Sequence, residues 1–261
     1  MIPGVLTRLQ RWLRGDAVVP CDPTATQATD VIPGRWVGGI CLLLGPIVLL
    51  AGILLRARFN FFFPDQLAAF QTHPGLITAS YNTYAAGVIL LWPAVLILAR
   101  RVGVTHPHWA IWGGVLVMLG LFARTFDAGA SHLVFEVARM HGAEFAGDLV
   151  GGTYPTFRII QPLSAATLIG WIVLAIGAYR SRVLGLIPAV GLALMAAVPI
   201  GILKGTQPLS IAGATGLCIA MVPLGIKILR EGPRPRLRTA AGWAAAVLAV
   251  GVAFVVLGLL G

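Results

Sequence analysis

The feature that most limits what this chain can fold into is a succession of apolar runs, each about the length that crosses a bilayer. A helix needs about 20 mostly apolar residues to span the hydrocarbon core. Seven runs are candidates: Trp36 to Leu55, Ile77 to Ala99, Trp109 to Ala123, Phe157 to Ala178, Leu184 to Leu203, Ile211 to Leu229 and Ala240 to Leu260. The third is short and extends toward Phe126. Pro46, Pro93, Pro188, Pro199 and Pro223 fall inside these runs, which membrane helices tolerate better than soluble ones. Only 11% of the residues are charged and 58% are hydrophobic, against the roughly 25% charge of a soluble domain. The expected fold class is therefore all-α: a polytopic transmembrane helix bundle of about seven spans.

The net charge of +10 does not point to nucleic acid, because the basic residues sit in short stretches between apolar runs, where they set topology. With the N-terminus inside, Arg8, Arg11, Arg14, Arg35, Arg100, Arg101, Arg180, Arg182, Lys227, Arg230, Arg234, Arg236 and Arg238 are cytoplasmic. Arg56, Arg58, Arg124, Arg139, Arg158 and Lys204 are outside. This asymmetry predicts a cytoplasmic N-terminus. Trp36, Trp109, Trp112 and Trp243 then lie near the inner interface, which indoles favour. The Arg-rich, Ala- and Gly-rich composition suggests a bacterial cell membrane.

Two parts are expected. Residues 1–34 form a cytoplasmic amphipathic helix, with Val5, Leu6, Leu9, Trp12 and Leu13 opposite Arg8 and Arg11, followed by a flexible linker. Residues 35–261 form the bundle, as a single domain. Its long connections, 56–76 and 124–156, are both outside. The first is rich in phenylalanine (Phe59, Phe61, Phe62, Phe63) and carries a short helix from Asp65 to Gln71. The second carries an outer-side helix around 125–144.

Polar chemistry concentrates at the outer end. Asp65, Asp127, Glu136, Glu144 and Asp148 lie there with His73, His132 and His141. His132 and Glu136 are four apart and share a helical face, so Asp127, His132 and Glu136 are candidate acid-base residues. The plainer reading of the same face is an ion-paired surface helix with Arg139. A metal site lacks a third ligand at recognisable spacing, so no metal or other cofactor is expected. Arg124, Arg139, Arg158, Gln161, Tyr81, Asn82, Lys204 and Gln207 stand at the outer ends of the spans and are candidate ligand contacts. Cys21, Cys41 and Cys218 show no disulfide or metal pattern. His106-Pro107-His108 reads as a loop-to-helix junction.

No phosphate-binding loop with lysine, nucleophile elbow or zinc-protease motif occurs. Three functions remain open. The first is an outward-facing polar pocket for a hydrophobic or amphiphilic molecule (lipid, peptide or natural product), in transport, resistance or a membrane complex. The second is a cofactor-independent acid-base enzyme acting on a hydrophobic substrate, of isomerase, cyclase or hydrolase type. The third is a structural subunit. The expected partners are membrane lipids, a hydrophobic small molecule or peptide, and membrane partner subunits.

Overall fold

The computed structural model describes residues 34–153 and 160–231, and residue 245 alone beyond them. These residues are helical, without strands. They form α1 (Arg35–Leu55), α2 (Phe63–Thr72), α3 (Pro74–Gly103), α4 (Pro107–His141), α5 (Ala143–Thr153), α6 (Ile160–Arg180), α7 (Leu186–Ala193, continued by a 3-10 turn over Leu194–Ala197) and α8 (Pro208–Arg230). Five of them, α1, α3, α4, α6 and α8, are long and apolar enough to cross a membrane, which makes this a multi-pass helical bundle. The amphipathic stretch 1–14, the linker, the basic loop 234–238 and the seventh run, 240–260, lie outside the described residues.

The helices close into a ring. Around it α1 packs on α3, α3 on α4, α4 on α6, α6 on α7, α7 on α8, and α8 back on α1. Buried Leu42, Leu49, Leu91, Leu121, Trp171 and Leu217 belong to the core inside it. Outward-facing Ile40, Ile47, Ile89, Ile111, Phe122 and Ile219 are exposed, as a lipid-facing surface requires. Bare helices gain little from burying apolar side chains away from lipid, so close backbone approach matters more. At the α1–α3 crossing, a Cβ on Gly87 would lie 2.5 Å from the Leu49 nitrogen. At the α4–α6 crossing, one on Gly170 would lie 2.6 Å from the Val117 nitrogen.

Two expectations change. The outer-side helix around 125–144 is not a separate element. It continues the third span through His141 in one 35-residue helix, about 50 Å long and well beyond the roughly 30 Å hydrocarbon core. The chain breaks only at Gly142, whose φ of 92° suits glycine.

The fifth run, Leu184 to Leu203, is not a continuous span either. Its helix and 3-10 turn together reach only about 20 Å. Pro199 has no N–H and disfavours helix in the residue before it, and Val198 is accordingly extended at ψ 118°. Pro46, Pro93 and Pro223 by contrast lie within continuous helices. After Pro199, Gly201 (φ 143°) and Leu203 (φ 52°) keep the chain irregular as far as α8.

One end of the ring is capped. α2, α5, the start of α3 and the end of α4 enclose a second apolar cluster containing Leu67, Phe70, Ile77, Phe135 and Ala146. At the other end Arg101, closing α3, ion-pairs with Glu231 after α8, with Arg101 Nη1 donating to Glu231 Oε1 at 3.2 Å. Arg35, opening α1, donates to the Glu231 carbonyl oxygen.

Two predictions follow from these contacts. Gly87→Ala should lower the unfolding midpoint in detergent by the equivalent of about 1–3 kcal/mol, the usual cost of overpacking. Gly75→Ala, where a Cβ meets nothing within 4 Å, should leave it unchanged. The second concerns pH. The Arg101 hydrogen bond, reinforced by nearby Lys227 and Arg35, holds the Glu231 carboxyl below its ordinary value of 4.5. Stability from this pair is therefore complete above 4.5 and is lost as pH falls through the lower folded value. Thermal unfolding across that acid range should show a smaller loss in Arg101→Gln than in wild type.

Candidate functional site

Where α7 stops short, the ring is left with bare backbone between two apolar clusters. Irregular backbone at membrane depth must find partners within the protein. Its partners come largely from one face of α4. Arg124, Asp127 and Ser131 follow at i, i+3 and i+7, so they line up along the helix. Arg124 Nη2 donates to the Val198 carbonyl at 2.8 Å, and Nη1 donates to the Pro199 carbonyl at 3.2 Å and to the Tyr84 hydroxyl at 2.8 Å. The backbone of Gly201 hydrogen-bonds to the Asp127 carboxylate. The Leu203 N–H donates to Ser131 Oγ at 3.1 Å, and that hydroxyl donates to the Asp127 carbonyl at 2.7 Å. From the other walls, the Tyr81 hydroxyl donates to the Lys204 carbonyl at 3.4 Å and Thr206 Oγ1 donates to the Ile53 carbonyl at 2.9 Å.

These side chains enclose a cavity of about 30 Å³. One water needs roughly 10–15 Å³ on that measure, so the space holds two or three waters or one compact polar group. Arg56, Tyr81, Tyr84, Arg124, Asp127 and Lys204 are among its lining residues. Arg56 comes from the end of α1. Its guanidinium lies over the rings of Tyr81 and Tyr84, 4.4 and 4.9 Å from their centroids, which holds a cation by its face. Arg56 is 5% exposed and Arg124 2%.

The electrostatics are unbalanced. Three cations, Arg56, Arg124 and Lys204, face one carboxylate, Asp127. Among the described residues, none of the three lies within ion-pair distance of an acid; the ion pairs found are Arg101–Glu231 and Arg139–Glu136. Arg56 Nε and Nη1, Arg124 Nε and Asp127 Oδ2 are buried with no hydrogen-bond partner.

The structure brings Tyr81, Arg124, Asp127 and Lys204 to one cavity. Asp127 does not share this cavity with His132 or Glu136. A helix turns about 100° per residue, which sets Glu136 about half a turn away from Asp127. His132 is half-buried against Phe135. Glu136 and Arg139 form an exposed surface pair at 2.5 Å. Asn82 is exposed. Gln207 caps α8 in a reciprocal pair with Ser210. Arg158 and the side chain of Gln161 lie outside the described residues. Arg56, Tyr84, Ser131 and Ser210 were not among the sequence candidates. The spacing of Arg124, Asp127 and Ser131 would have pointed to Ser131, whereas Arg56 reads in sequence as one more flanking charge. Among the described residues no cluster of three or more His, Cys, Asp or Glu side chains could hold a metal. Compared with known family models, curated proteins and solved structures, the chain matches none.

If Arg124 braces the broken segment, its loss unpairs two carbonyls and a hydroxyl at once. Hydrogen bonds to charged groups each contribute about 1.5–3 kcal/mol. Arg124→Leu should therefore lower unfolding stability by about 2 kcal/mol or more, and Tyr84→Phe, which removes one acceptor, by about 1 kcal/mol. Equal effects of the two variants on the detergent unfolding midpoint would rule out this bracing role.

Proposed function

We propose that the chain is a multi-pass protein of a bacterial cell membrane, N-terminus inside, that binds an amphiphile at its outer end. The polar head would enter the cavity between Arg56 and Arg124, and the apolar part would lie against the bundle. The role would be in transport, resistance or a membrane complex, with membrane lipids and partner subunits around it. The seven-span count rests on five long helices, on α7 with the irregular chain after it making one broken crossing, and on the run 240–260 adding the last.

One observation carries this reading: a charged, incompletely satisfied cavity buried at the end of an apolar ring. Charge inside a membrane protein is costly, and it marks functional positions more often than structural ones. The ring's surface also offers somewhere for a tail. An open apolar groove of about 470 Å³ runs on the outside of the ring between α3 and α4, lined by Trp92, Leu96, Ile111, Met118 and Phe122 among others. The basic asymmetry of the flanking residues supports the outward orientation. An acid-base enzyme is less well supported, because Asp127 lines the cavity without His132 or Glu136.

The test is native mass spectrometry of the full chain released from nanodiscs of mixed phosphatidylglycerol and phosphatidylethanolamine. Wild type should retain about one amphiphile per chain. Ala128→Phe, which fills the cavity from α4, should retain none while remaining folded. Identical retention by the two proteins would discard the reading.

A further inference from the structure

We infer that the cavity is an oxyanion site, built for a tetrahedral phosphate-type group. This deepens the proposed function and rests on it: it assigns the chemistry of the head that the cavity holds.

The sign comes first. With Arg56, Arg124 and Lys204 against Asp127 alone, the lining carries an excess of two positive charges. Buried cations without counter-charge are strongly unfavourable, so the ligand that suits this lining is an anion. The donor inventory then narrows its shape. Arg124 spends both terminal nitrogens on protein acceptors and keeps Nε free. Arg56 makes no side-chain hydrogen bond among the described residues. It is held by two tyrosine faces, which leaves its in-plane N–H groups available, and both Nε and Nη1 are buried and unpartnered. Unpartnered donors thus stand on guanidiniums from two different helices beside the cavity, and Lys204, whose ammonium lies 5.3 Å from the Phe61 ring centroid, lines it from a third wall. A planar carboxylate offers two oxygens in one plane. A phosphate group offers acceptors in several directions and matches arginine geometry well. The cavity exceeds the space of a single water and suits one such group.

Asp127 also fits. Its carboxylate is occupied on one side by the Gly201 backbone, so it holds the irregular wall in place. Its free Oδ2 disfavours a doubly charged anion close by and favours a singly charged one. A phosphodiester head would meet that condition, and so would a phosphomonoester or inorganic phosphate in its singly charged form.

The experiment uses the full chain in a neutral maltoside detergent, titrated with inorganic phosphate, with dodecyl phosphate and with dodecyltrimethylammonium as the cationic control. Binding is read by calorimetry and by thermal unfolding. The expected result is saturable binding of a phosphate probe and none of the cation. Arg56→Gln should weaken it at least tenfold, and Lys204→Gln severalfold. Arg56→Gln should also raise the unfolding midpoint of the ligand-free protein, because it removes a buried charge that no protein group compensates. A purely structural arginine would move the midpoint the other way and leave phosphate affinity unchanged; that pair of results overturns the inference. Preference for dodecyl phosphate over inorganic phosphate identifies a lipid-type head, and equal affinity identifies the free ion; both support the site. If neither phosphate probe binds while the protein still retains a neutral or zwitterionic amphiphile in nanodiscs, the oxyanion site is wrong and amphiphile binding stands. If nothing is retained at all, both are wrong.

Discussion

Everything at the capped end depends on the need to satisfy backbone that has left a helix inside an apolar bundle. A continuous α7 would carry its own hydrogen bonds and ask nothing of its neighbours. Pro199 ends that arrangement, and the carbonyls of Val198 and Pro199 and the N–H of Leu203 then turn to α4 for partners. Three polar residues on one face of α4 answer. Their burial is tolerable because each meets backbone of this segment, and the backbone is tolerable because they are there.

The satisfaction stops short of completeness. Arg124 is committed to the brace, yet one of its nitrogens is idle; Arg56 is committed to aromatic faces and has two idle nitrogens. Incomplete hydrogen bonding of a buried charge is uncommon in native proteins. Here it collects around one cavity, whereas at the opposite end Arg101 and Glu231 neutralise each other. The two ends of the ring thus treat charge differently. One closes its ion pair between two helices; the other lines a cavity with cations.

Much of the fold was legible in the sequence because hydrophobic length is a strong signal. Five of the apolar runs correspond to long helices, and the short helix after the phenylalanine-rich turn occurs where residues 65–71 suggested it. The failures share a cause. A run such as Leu184 to Leu203 is apolar throughout, and apolarity alone cannot say whether backbone hydrogen bonds stay within it. Pro199 and Gly201 together break the helix, while Pro46, Pro93 and Pro223 alone do not. The site was half legible for a similar reason. Arg124, Asp127 and Lys204 stand out as charges at span ends, but the face of α4 that His132 and Glu136 share is not the one that carries Asp127. Arg56 acquires its character only from two tyrosines about 25 residues further along the chain.

The long α4 has a mechanical consequence. One unbroken helix supplies the polar face of the cavity through Arg124, Asp127 and Ser131 and the apolar cap through Val134, Phe135 and Ala138. Floor and roof are therefore parts of a single stiff rod and cannot separate from each other. The wall formed by residues 198–207 is held both by hydrogen bonds to its surroundings and by burial of Val198, Ile202 and Leu203 in the two apolar clusters. The opposite side of the cavity is non-helical chain, so its outline there follows from side-chain hydrogen bonds and the packing of Val198, Ile202 and Leu203 rather than from the tilt of a helix.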